Sequence, residues 1–438
     1  PRTCDPFGAG TEDQDPKTEN SSSRTGGRGL ISFLKVLGVL LLLVILIARR
    51  WNIGLIMLAA ALVLSLLFSM GIGSWILVAG KAMIKPDTLS LLAALLLIQL
   101  LEAILRRTGL LQQMVDSLKK MVLDHRIVTV FLPAFLGFLP SAGGARFSAP
   151  LVAEASKDLN LTGERKAFIN YWFRHVMEPI VPIYPGLIMA ASLLMISVPQ
   201  LVSRTWPLTI VMILAGLPLA FAGVAYRGVG RQEKMSGSRD WLRLLSSLLP
   251  VGLIMVLVMI FQVDLVISLA SAFLFTLVWA ILGFRWRGRE LSRVGKELLS
   301  KSTLNIVFLV LGVFVFKDTL QTSGAVEALT AFFQFAHVPD LLLVALLPFL
   351  IGFLTGLTPG FVGVAFPLLL GIFGNPLNLS VVALAYAGGL AGILLSPVHL
   401  CLVLTKEYFQ ADWLKLYRLL LPASLVILLV AILLLRVW

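Results

Sequence analysis

Apolar stretches close to the ~20 residues that cross ~30 Å of hydrocarbon recur along the chain at 30–48, 51–69, 88–105, 205–224, 244–262, 264–284, 303–317 and 416–438. Each reads as a transmembrane helix, because a backbone in lipid must satisfy its own N–H and C=O groups. Two longer stretches are apolar enough to cross but are interrupted: 167–198 by Pro179, Pro182 and Pro185, and 380–405 by Gly388, Gly389, Gly392 and Pro397. These predict discontinuous helices. Two more segments, 127–156 and 340–373, have Gly/Pro-rich centres between halves too short to cross, the pattern of re-entrant hairpins that enter and leave on one side. Residues 1–29 are polar with no apolar core of a signal peptide, and their composition predicts a disordered tail. The pattern therefore predicts an all-α polytopic membrane protein of about ten transmembrane helices plus two re-entrant hairpins.

Sliding the sequence on itself by 215 positions superposes this pattern and several particular residues. Gly109 falls on Gly324, Pro133 on Pro348, Gly137-Phe138-Leu139 on Gly352-Phe353-Leu354, Pro182 on Pro397 and Pro207 on Pro422. Two repeats follow, 30–224 and 245–438, joined by a basic linker at 225–244. Three spans, a hairpin that returns, a broken span and a final span make five crossings per repeat. Five is odd, so the second repeat is expected upside down relative to the first, the inverted-topology plan of many secondary transporters.

Composition agrees with a bilayer: 58% of the 438 residues are hydrophobic and 13% charged. The excess of 36 Lys and Arg over 23 Asp and Glu raises nucleic acid as a partner, but topology accounts for it. Under ten crossings, 24 of the 36 basic residues gather on one face, including the loops at 225–243 and 285–301. The positive-inside rule makes that face cytoplasmic and both termini extracytoplasmic in a prokaryotic inner membrane. The basic loops then meet lipid headgroups, and no nucleic-acid partner is expected. The two cysteines, Cys4 and Cys401, fall in the tail and in a span, which argues against a disulfide framework and against a Cys/His zinc cluster. No resident cofactor or metal is expected.

In an inverted-repeat plan the two hairpin tips and two helix breaks converge near the bilayer midplane. Tip one, Leu139 to Pro150, offers Ser141, Gly143, Gly144 and Ser148, with Arg146 as a permanent cation in an apolar hairpin. Such a charge is expensive in a membrane, and a carboxylate or phosphate is its natural two-pronged partner; the bland alternative is that it caps carbonyls or reaches the interface. Tip two carries no charge and offers Thr355, Gly356 and Thr358. The first break carries Arg174, His175 and Glu178. Arg174 and Glu178 are one helical turn apart and can form a purely structural ion pair, whereas an intramembrane carboxylate or histidine can also hold a coupling ion. Near the second break lie Ser396 and His399. Glu102, beside Arg106, reads as an interfacial ion pair.

These residues resemble a known family. The Leu139–Pro150 tip, Phe173-Arg174-His175 with Glu178-Pro179 and Tyr184-Pro185, the Thr355-Gly356 tip and Leu395-Ser396-Pro397-Val398-His399-Leu400-Cys401 are similar to the prokaryotic ten-span membrane proteins grouped as the domain of unknown function 401 family, described as predicted permeases. The resemblance covers about 30–438. More distantly, the two-hairpin plan looks like the ion transporter superfamily, which implies transport by a hairpin-bearing domain moving against a scaffold, commonly in homodimers. Neither tip contains the Asn of the dicarboxylate branch's Ser-Asn-Thr pattern, so only the architecture carries over. The expectation is a secondary active transporter of a small organic anion, coupled to a proton or sodium gradient, with Arg146 and Arg174 meeting the anion and Glu178 or His175 the coupling ion. A cation/proton antiporter is the alternative, with Glu178, Thr355 and Thr358 as ligands. An intramembrane enzyme is disfavoured, since no paired carboxylates, nucleophile–His–Asp set or phosphate loop is present.

Overall fold

A computed structural model describes residues 17–49, 51–110, 113, 125–138, 144–224, 238–283 and 288–436, and among them every regular element is helical. The first half runs α1 (Lys17–Ala48), α2 (Ile53–Leu67), α3 (Ile72–Ile84), α4 (Pro86–Arg107), α5 (His125–Leu136), α6 (Ala145–Ala155), α7 (Gly163–His175), α8 (Pro185–Leu193) and α9 (Val198–Phe221). The second runs α10 (Ser238–Met255, continued by a π-helical turn), α11 (Leu265–Gly283), α12 (Gly288–Glu297), α13 (Lys301–Thr322), α14 (Ala325–Phe335), α15 (Asp340–Thr355), α16 (Thr358–Leu369), α17 (Leu379–Leu395), α18 (Leu400–Tyr408) and α19 (Trp413–Leu434). Among the described residues, seven helical stretches are long and apolar enough to cross a membrane: Leu30–Ile47, Pro86–Arg107, Val198–Phe221, Leu265–Gly283, Glu290–Thr322, Leu379–Tyr408 and Trp413–Leu434.

Apolar length overstates the helix in two places. The stretch at 51–69 yields a helix of only 15 residues, α2, and the one at 244–262 is apolar enough only over Leu245–Ile260. The stretch at 167–198 divides into α7 and α8 around the turns of 176–184. Residues 17–29, whose composition predicts a disordered tail, continue α1. Extending an existing helix adds one hydrogen bond per residue and avoids the cost of nucleation, so an apolar helix can carry a polar extension.

The 215-residue offset recurs in the helix bounds. It places α4 on α13 and α8 on α18 residue for residue, and starts α9 and α19 at matching positions. Local chemistry at the ends explains the agreement even where residue types differ. The Ser197 side chain caps α9 within a capping box that includes Gln200, and at the matching position Asp412 caps α19 by accepting from the Lys415 N–H at 3.0 Å. Beyond α4 and α13 the chain turns at Gly109 and Gly324, with φ of 75° and 73°, a conformation that glycine adopts without a Cβ clash.

Packing is reciprocal between the halves. α2 packs on α13 as α4 packs on α11, α5 on α7 as α15 on α17, and α6 on α18 as α8 on α16. Without a hydrophobic drive between helices in lipid, close approach of small residues supplies much of the cohesion. Gly388 and Gly392, one turn apart on α17, leave no room for a Cβ because the backbones of Ala345 and Phe349 on α15 lie against them. Gly54 and Gly312 do the same between α2 and α13. These contacts put the broken helix at the centre: 89% of the apolar window in Leu379–Tyr408 is buried, against 28% in Leu265–Gly283.

Candidate functional site

Both breaks are written by proline. Pro185 and Pro397 force the residues before them, Tyr184 (φ −75°, ψ 126°) and Ser396 (φ −72°, ψ 121°), out of helical geometry. Side chains at each break take up carbonyls at the end of the helix packed against it in the same half. Tyr184 donates its hydroxyl to the Gly137 carbonyl at the end of α5. Ser396 Oγ donates to Phe353 O on α15 at 2.6 Å, and His399 Nδ1 lies 2.6 Å from Gly356 O. Tyr184 and His399 occupy matching positions, so one structural duty is carried by different chemistry in the two halves.

The two breaks meet. His175, the last residue of α7, has Nδ1 2.7 Å from Tyr171 O and Nε2 3.1 Å from Nε2 of His399. Glu178 lies in the turn beyond, with Oε1 3.8 Å from His175 Nε2, while Thr358 at the start of α16 donates its hydroxyl to Glu178 Oε2 at 3.0 Å. All four side chains are buried. Tip two is held in shape locally: Gly356 takes φ +62° with His399 backbone packed where a Cβ would stand, and Thr355 Oγ1 accepts from the Leu357 N–H. Arg174 is buried and donates to Leu136 O at 3.3 Å, a cation at the C-terminal carbonyls of α5.

Of the residues singled out from the sequence, His175, Glu178, Thr355, Gly356, Thr358, Ser396 and His399 thus come together around one junction, with Arg174 one residue before His175 and carrying the α5 end. Gly144 is buried as the N-cap of α6, and Ser148 spends its hydroxyl on Ala145 O, 3.3 Å away on its own helix. Ser141, Gly143 and the Arg146 side chain lie outside the described residues. Arg174 and Glu178 do not share one helix, because α7 stops at His175 and leaves Glu178 in the turn beyond. Glu102 and Arg106 form the expected ion pair.

Other residues join the junction that the sequence did not nominate for the site. Cys401 is buried, and its Sγ lies with one ring nitrogen each of His175 and His399 in a cluster spanning no more than 4.8 Å. Cysteine number along the chain does not anticipate this cluster, because its members, separated by more than two hundred residues between His175 and His399, converge only through the packing of the halves. Asn170 ties α7 to both neighbours, donating to Ala145 O at 3.1 Å and Thr405 Oγ1 at 2.9 Å. Tyr386, at the position matching Tyr171, keeps a buried hydroxyl without a hydrogen-bond partner among the described residues. Away from the junction, Lys317, which the sequence places at the outer face, is buried and donates to Leu193 O at the end of α8, while its neighbour Asp318 pairs with Lys85. An open cavity of about 790 Å³ runs beside α8, lined by Asp87, Ile188, Ser192, Gln200 and Gln262 among others.

A family model described as "Protein of unknown function (DUF401)" matches residues 30–437, and the chain belongs to that family. No curated protein matches it.

Proposed function

We propose that this member of the family is a secondary active transporter working by alternating access, carrying a small organic anion in exchange for, or together with, a proton or sodium ion. One observation carries the reading: two interrupted helices from matching positions of the two halves place buried charged and polar side chains against each other, and a hydrogen bond from Thr358 to Glu178 spans the join. Interrupted helices with buried charge are costly in a bilayer unless they serve a pathway. The inverted plan of five crossings per half accounts for reciprocal packing between the halves, and the cavity along α8 is its access route from the face poor in Lys and Arg. In this reading Arg174 and Arg146 meet the anion, Ser396 and the tip residues line its path, and Glu178 with His175 holds the coupling ion. The partnerless Tyr386 hydroxyl is a further polar group for the guest.

A second reading, cation/proton antiport, is favoured by the Glu178–Thr358 contact, since a carboxylate and a hydroxyl are oxygen ligands for a small cation. Thermal unfolding of the detergent-purified chain separates the two. A panel of mono-, di- and tricarboxylates, each in sodium and in potassium at two pH values, should stabilise the protein for one anion class, and Arg174→Gln should abolish the shift. Ligand at ~100 times its dissociation constant contributes about 2.7 kcal/mol. Silence from every anion, with a response to sodium or pH alone, transfers the assignment to the antiporter.

A further inference from the structure

His175 and His399 are arranged in a way that neither structural packing nor anion binding requires. A carbonyl oxygen only accepts, so the contacts to Tyr171 O and Gly356 O assign the proton of each ring to Nδ1. In neutral imidazoles both Nε2 atoms are then lone pairs, and they face each other at 3.1 Å. Two lone pairs at that distance repel unless an electrophile lies between them. A proton would suffice for the nitrogens alone; the sulfur of Cys401, hydrogen-bonded to His175, brings a third soft donor into the same cluster.

We infer that His175 Nε2, His399 Nε2 and Cys401 Sγ, with the Glu178 carboxylate adjacent, form a site for a soft divalent transition-metal cation of the Zn²⁺ type. The donor set is the first reason. Imidazole and thiolate select late first-row metals, whereas sodium, magnesium and calcium prefer oxygen. Geometry is the second: two nitrogens each ~2.0 Å from a tetrahedral zinc stand about 3.3 Å apart, close to the 3.1 Å observed. Bringing the sulfur from the 4.8 Å limit of the cluster to a tetrahedral edge takes about 1 Å, the scale of ordinary side-chain displacement. The third reason is the outer layer. Both Nδ1–H groups are fixed by carbonyls and Glu178 Oε2 by Thr358, the support that orients ligands and raises their basicity. Finally, a thiolate and a carboxylate offset the charge of a dication, which lowers its cost inside a membrane protein and leaves Arg174 as a buried cation beside the site. The site stands whether or not the chain transports an anion.

The two cysteines, Cys4 and Cys401, make the test direct. The Cys4→Ser protein, purified at full length, keeps a single thiol. Titrated with Co²⁺, it should show a sulfur-to-cobalt charge-transfer band and the intense visible bands of tetrahedral cobalt, saturating at one equivalent and displaced by Zn²⁺. Cys401→Ser should abolish the charge-transfer band, and His175→Gln and His399→Gln should each weaken Zn²⁺ binding at least as much as the about 10–100-fold loss typical of disturbing an outer-layer partner. Absence of the band in Cys4→Ser at saturating Co²⁺ overturns the inference, as does full cobalt binding in Cys401→Ser. Should the Cys401 variant fail to fold, the single-thiol protein still decides. In liposomes enclosing a zinc-sensitive dye, entry of Zn²⁺ identifies the ion as cargo, and one bound equivalent without entry identifies it as resident. Because the titration is an equilibrium measurement, its failure and a failure of the transport reading are distinguishable.

Discussion

The two interrupted helices occupy matching places in the two halves yet are built differently. α7 and its turn carry Arg174, His175 and Glu178; at the matching positions α17 has Gly389, Leu390 and Ile393. The glycines of α17 let it lie backbone against backbone on α15, while its counterpart α7 and the turn after it have Phe173 and Met177 where α17 has Gly388 and Gly392. A shared element survives in both: Gly137 faces the Arg174 carbonyl on α7 as Gly352 faces the Gly389 carbonyl on α17. At the junction one half thus supplies the buried charge and the other the tight scaffold, with His399 the residue that reaches across. Two halves with matching helix bounds need not share duties equally where their elements meet, because a charge is needed only once at a common junction.

The largest expected effect attacks the scaffold. Gly392→Val drives a branched side chain into the Phe349 backbone, and overpacking of this kind costs about 3 kcal/mol or more where the neighbour is main chain. Loss of the monodisperse folded species in size-exclusion chromatography and a collapsed melting transition are expected. Met177→Val, at the matching position in the turn after α7, should cost less than about 1.5 kcal/mol; equal losses would break the division between the halves. Next comes the charged half. Glu178→Gln should lower currents evoked by the stabilising anion in proteoliposomes about tenfold or more while leaving the melting temperature nearly unchanged, since glutamine still accepts from Thr358. Ile393→Leu, its counterpart, should leave the currents intact.

Thr358→Val is intermediate. It keeps the methyl group that packs on Gly186 but removes the hydrogen bond to Glu178, a loss of about 1–3 kcal/mol for a buried charged acceptor, and Thr358→Ser should restore most of it in the same melting assay. Thr405→Val removes one of two acceptors of Asn170 and should cost about 0.5–1.5 kcal/mol. The smallest effect is expected at Glu102→Gln, below about 1 kcal/mol, because Arg106 in that pair is 57% exposed.

Much of this was legible along the chain. The 215-residue offset, the proline breaks and the Gly109–Gly324 turns are local features, and local chemistry placed the helix ends where those residues stand. Within the site, His175, Glu178, Thr358 and His399 could be nominated because charge, imidazole or hydroxyl inside an apolar stretch is costly and therefore informative. Cys401 could not, since a cysteine in an apolar span is an ordinary packing residue until its neighbours are known. Lys317 and Asp318 escaped for a related reason: near the end of a span, position alone does not distinguish a lysine that snorkels to the interface from one that turns inward to a carbonyl.

The sequence by itself determined the elements: apolar length and the need to satisfy backbone groups in lipid leave helices as the solution, and proline and glycine decide where they stop. Only the tertiary structure decided which of those helices became core and which side chains met. Residues 175, 178, 358, 399 and 401 are brought together by glycine-mediated approach and by reciprocal packing between the halves. Those are contacts between distant segments, and no periodicity or spacing along the chain encodes the pairing of a lone pair on one helix with a lone pair on another.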